Sequence, residues 1–70
     1  MTKELTDYEE GWAFSKTFIY KDIKIYLVKR FIKKLETFEY IEKTNIEFAK
    51  GRADCYKNYL IKRLLKGEIS

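Results

Sequence analysis

Apolar residues recur at helical spacing along most of this chain. Ile23, Leu27, Phe31, Leu35 and Phe38 follow one another at steps of three or four, and Ile25, Val28 and Ile32 widen the stripe on one side. Residues so spaced share one helix face, which predicts a long helix over about 21–40. A second series, Ile46, Ala49, Ala53, Tyr56, Leu60 and Leu64, approaches the alternation of a coiled-coil seam and predicts another long helix over about 44–66. Asp22 suits the positive end of the first helix. Lys62, Arg63 and Lys66 suit the negative end of the second, and Gly67 supplies the residue that commonly stops one.

Two hydroxyl-x-x-carboxylate steps mark helix starts, Thr6-Asp7-Tyr8-Glu9 and Thr44-Asn45-Ile46-Glu47. The first opens a short helix over about 6–14, with Leu5, Tyr8 and Trp12 on one stripe and Gly11 weakening its middle by up to ~1 kcal/mol. Such a helix needs Trp12 and Phe14 docked on the rest of the chain. Residues 15–20 read as a linker, because Ser15 and Thr17 compete for backbone hydrogen bonds and Phe18-Ile19-Tyr20 suits extended backbone. The second step places a turn around Tyr40 to Thr44. The predicted fold is all-α: an antiparallel helical hairpin with a short N-terminal helix packed against it, one small domain over residues 1–70. The competing reading is one continuous helix from Lys21 to Lys66, a rod of ~70 Å. The hairpin is favoured because a lone rod leaves its apolar stripe in water. The stripe of the middle helix is wide enough to need cover on a second side, from the N-terminal segment or from another copy.

Composition narrows the function. A chain of 70 residues supports a core worth only ~3–5 kcal/mol without a staple. Cys55 is the only cysteine and there is no histidine, so neither an internal disulfide nor a Cys/His metal site is expected. The lone thiol fits a reducing cytoplasm. The acidic N-terminal stretch does not resemble a secretory leader, and no apolar run is long enough for a bilayer, so a soluble protein is expected.

Without histidine, and with Gly11, Gly51 and Gly67 isolated from any phosphate-binding pattern, no enzyme, cofactor or small-molecule substrate is expected. Glu36, Glu39 and Glu42 lie at an exposed helix end, unsuited to raising a carboxyl pKa. Cys55 reads as a small hydrophobe at the edge of the seam. Gly51, inside a helix, asks for a reason such as the close approach of another backbone.

Charge comes in blocks: residues 1–14 and 36–49 are acidic, residues 15–35 and 50–66 basic. Folding back near Glu42 gives a basic body with an acidic tip. Lys24, Lys29, Arg30, Lys33 and Lys34, with Tyr26 or Tyr59 beside them, could neutralise phosphates. Lysines outnumber arginines twelve to three, however, and bidentate phosphate recognition favours arginine. An ordinary solvated face is therefore preferred, with nucleic acid as the alternative partner. Protein partners or self-association rank first, since tyrosine, tryptophan and arginine dominate binding hot spots. The candidate partner-binding residues are Trp12, Tyr26, Lys29, Arg30, Lys33, Gly51, Arg52 and Tyr59.

Tyr20-Lys21-Asp22-Ile23-Lys24, Lys50-Gly51-Arg52-Ala53-Asp54-Cys55-Tyr56 and the pair Leu64-Leu65 resemble short motifs of small uncharacterised phage and prophage proteins. The resemblance spans about residues 18–65, and the proline often found after the last helix of those proteins is absent. It implies a helical hairpin and an accessory protein acting in an infected cell. It transfers no catalytic or binding residue.

Overall fold

The computed structural model describes residues 4–20 and 22–67, which form four helices and no strand. These are α1 (Asp7–Lys16), α2 (Ile25–Leu35), α3 (Phe38–Thr44) and α4 (Ile46–Leu65). The fold is all-α, as the periodicity predicts.

α1 opens on a reciprocal cap. The Thr6 hydroxyl accepts from the Glu9 amide at 3.1 Å, and the Glu9 carboxylate accepts from the Thr6 amide at 3.0 Å. The helix continues two residues past the expected end, so Ser15 and Lys16 belong to it and not to a linker. Ser15 is fully buried, and its hydroxyl accepts from Arg52 Nε at 2.9 Å. This hydroxyl oxygen thus takes a donor 37 residues away and ties α1 to α4.

The expected single helix over 21–40 is two helices. Its predicted first residue, Lys21, lies outside the described residues, and α2 ends at Leu35. Thr37 then starts α3, its hydroxyl accepting from the Tyr40 amide at 3.3 Å and donating to the Lys34 carbonyl at 2.7 Å. The turn expected at Tyr40 to Thr44 is therefore helical. Reversal falls on Asn45, whose φ of 152° takes the backbone out of helical conformation. Asn45 Oδ1 caps α4 by accepting from the Glu47 and Phe48 amides at 2.8 and 3.2 Å. The cap assigned to Thr44 thus belongs to its neighbour, and the Thr44 hydroxyl donates back to the Tyr40 carbonyl.

α2 and α4 run antiparallel: the Ile23 carbonyl meets Arg63, the Phe31 ring meets Tyr56, and Glu36 pairs with Lys57. The longest dimension is 40 Å, far short of the ~70 Å of a continuous rod. Val28, Leu35, Ala53 and Tyr56 form the buried cluster, flanked by Ile32, Tyr59 and Leu60. The outer members of the predicted seam, Ile46 and Leu64, are both 57% exposed.

α1 packs against the hairpin, as the sequence predicts, on one of its two helices. It covers α4, not the second side of α2. Gly11 and Gly51 make this crossing possible, because a Cβ on Gly11 would overlap the Phe48 carbonyl and one on Gly51 the Tyr8 carbonyl. The arrangement is reciprocal: each helix offers an aromatic residue's carbonyl and, three residues on, a glycine notch. Ser15 and Cys55, each four residues beyond its glycine, are buried too.

Candidate functional site

α2 presents three faces. Val28 and Leu35 are buried, with Ile32 beside them against α4. Tyr26, Lys29, Arg30 and Lys33 face solvent. Lys24, Leu27, Phe31 and Lys34 line a cleft of about 610 Å³ between α2, α3, α4 and the segment before α2. That volume lies within the range of ligand-binding clefts, roughly 300–1,000 Å³. Its apolar walls include Phe18, Ile23, Leu27, Phe31 and Leu35. The second cover expected for α2, from the N-terminal segment or another copy, is not supplied by α1, which packs on α4.

One cation stands among these rings. Arg52, half-buried on α4, donates from Nε to Ser15 Oγ and from Nη1 to the Tyr40 hydroxyl at 2.6 Å. Its guanidinium lies over the rings of Phe14, Tyr40 and Phe18, at 4.8, 5.6 and 5.7 Å. Burial pushes the Tyr56 hydroxyl pKa upward, while the neighbouring Arg52 pulls the other way. Among the described residues no carboxylate pairs with Arg52. The cleft lining therefore carries Lys24, Lys34 and Arg52 against the single acid Asp22.

The candidates read from sequence fall into two groups. Trp12 is half-buried with its ring 6.4 Å from that of Tyr8, and Gly51 is buried under the Tyr8 backbone. The Tyr59 hydroxyl donates to the Tyr20 carbonyl and accepts from Arg63. With Arg52, these residues serve the chain's own packing, and only Arg52 also lines the cleft. Tyr26, Lys29, Arg30 and Lys33 lie together on the exposed side of α2, while Lys24 and Lys34 leave that group for the cleft.

Sequence reasoning missed Tyr40, which it placed in a turn, and did not separate Leu27 and Phe31 from the buried stripe. The signal was present: Lys24, Leu27, Phe31 and Lys34 form a line of their own on the helix. Cys55 is buried, and desolvation holds its thiol pKa above the ordinary value despite Lys16, Arg52 and Lys62 nearby. No helix among the described residues is long and apolar enough to cross a membrane. In comparison with known proteins, the chain matches no family model, no curated protein and no solved structure.

Proposed function

We propose that the chain is a non-enzymatic interaction module, a phage-type accessory protein of the host cytoplasm, that binds a protein partner through its helix faces. One observation carries this reading, the imbalance between core and surface. Among the described residues, the buried hydrophobic ones are Val28, Leu35, Tyr56 and three small ones, Ala49, Ala53 and Cys55. Phe31 at the cleft is 39% exposed, Phe38 on α3 76% and Leu65 at the end of α4 81%. A chain that leaves large apolar side chains wet beside so small a core gains stability when a partner covers them. Phe31 belongs to a concave surface, the cleft, whose lining carries Lys24, Lys34 and Arg52 against Asp22.

Capture from the native host with and without nuclease tests the reading. The wild-type chain is expected to retain a protein that nuclease does not release and that the double variant Leu27→Asp, Phe31→Asp fails to hold. Equal retention by that variant would sink the reading.

The exposed set Tyr26, Lys29, Arg30 and Lys33 favours a second reading, nucleic-acid binding. Phosphate contacts release counterions, so affinity then falls steeply with salt. Reversal of Lys29, Arg30 and Lys33 to glutamate is expected to remove only weak, non-specific binding. Sub-micromolar binding at physiological salt, lost in the triple reversal, would put this reading first.

A further inference from the structure

We propose that the cleft seats an acidic amphipathic helix of a partner protein, with one of its carboxylates received between Arg52 and Tyr40. This rests on the reading of the chain as a protein-binding module and names the chemistry of the partner.

Shape selects a helix. The described residues offer no strand edge to which an extended peptide could add. Lys24 to Lys34 spans ~15 Å along α2, between two and three helical turns. Leu27 and Phe31 stand one turn apart within it, as knobs that meet the i, i+4 side chains of a second helix.

Charge selects the acid. Arg52 carries five N–H donors, and the chain gives it neutral hydroxyls and aromatic faces but no carboxylate among the described residues. The Tyr40 hydroxyl accepts from Arg52, which leaves its own hydrogen to donate. A carboxylate placed there gains charge-assisted bonds in a partly dry site, where they are strongest. Lys24 and Lys34 bracket the same opening, so acids flanking the apolar anchors meet cations at both ends.

A second copy is a poor occupant. In the acidic start of α1, Asp7 accepts from Asn45 and Glu9 from Thr6, and the notched face of that helix lies against α4. On α3, Tyr40 and Ile41 turn inward, and the exposed Phe38, Glu39 and Glu42 sit on a helix of only 7 residues, about 10 Å long and shorter than the span from Lys24 to Lys34.

The test uses three fluorescein-labelled helical peptides of about four turns. They share leucines at i, i+4 and i+7 and differ only in flanking residues: glutamate, glutamine or lysine. Anisotropy titration against the full chain is expected to rank glutamate first, by about tenfold over glutamine at low salt, with lysine weakest. Lys24→Glu with Lys34→Glu should erase that preference and leave the glutamine peptide unaffected. Arg52→Gln should do likewise, and the lysine pair keeps the test decisive if the arginine variant misfolds.

Equal affinity for the glutamate and glutamine peptides, abolished by Leu27→Asp with Phe31→Asp, overturns the acidic partner and leaves the cleft as a protein-binding face. Binding untouched by that double variant overturns both. Failure of all three peptides to bind overturns the helix as occupant. Displacement of the glutamate peptide by free dodecanoate at equal affinity assigns the cleft to a small amphiphile instead.

Discussion

Gly51 sits under the Tyr8 carbonyl and Gly11 under that of Phe48, so at these two positions the usual advantage of alanine in a helix is reversed. Intrinsic propensity favours Gly51→Ala by ~1 kcal/mol. The added carbon meets main chain that cannot rotate away, and overpacking of this kind costs about 1–3 kcal/mol or more. A net loss of stability in urea melts is the expected result, and a more stable G51A variant would remove the crossing as the reason for the glycine. Cys55 makes a second prediction. The thiolate is the reactive form, and burial both hides the sulfur and keeps it protonated. Alkylation at mildly alkaline pH should be slow in the native protein and rise to the rate of a free thiol in denaturant.

Among the elements, α3 and α4 meet at a single residue that does three things. Asn45 adopts a φ of 152°, caps two amides of α4, and donates from Nδ2 to Asp7 at 2.9 Å. Loss of an N-cap costs about 0.5–2 kcal/mol, and a Cβ at this φ is strained as well. Asn45→Ala loses the cap and keeps the strain, whereas Asn45→Gly loses the cap and relieves it. Thermal melts should therefore place the glycine variant between wild type and the alanine variant. The reverse order would mean that the backbone at 45 is not what turns the chain.

At the scale of the whole molecule, four proton equilibria among the described residues, those of Tyr8, Cys55, Tyr56 and Lys57, shift in the same direction. Tyr8 holds its proton more tightly because its hydroxyl donates to Asp54 at 2.6 Å, and Lys57 because it donates to Glu36. Burial does the same for Cys55 and Tyr56. Each group binds its proton more strongly in the folded chain than in the unfolded one, so the linked stability is complete below the ordinary values and declines above them. The melting temperature should begin to fall as pH passes 9.0, the ordinary thiol value, and fall further beyond 10.0, where tyrosine titrates. A melting temperature that rises over this range would contradict the shared sign. Cys55→Ala should delay the onset.

The all-α class, the cap at Thr6, the span of α4 and its stop near Gly67 were legible in the sequence, because each depends on hydrogen bonds or apolar spacing within a few residues. The break at Thr37 and the cap at Asn45 were not read correctly. Asn45 competes with Thr44, a neighbour of similar capping strength, whereas Thr37 interrupts an apolar period that runs on from Leu35 to Phe38, and packing decides in both cases. The pairing of elements was least accessible. Periodicity says which face of α2 is apolar but not whether α1 or a partner covers it. The matching steps Tyr8–Gly11 and Phe48–Gly51 were visible as residues. Only the folded chain brings one against the other, drawing α1 onto α4 and leaving Leu27 and Phe31 at an open cleft beside Arg52.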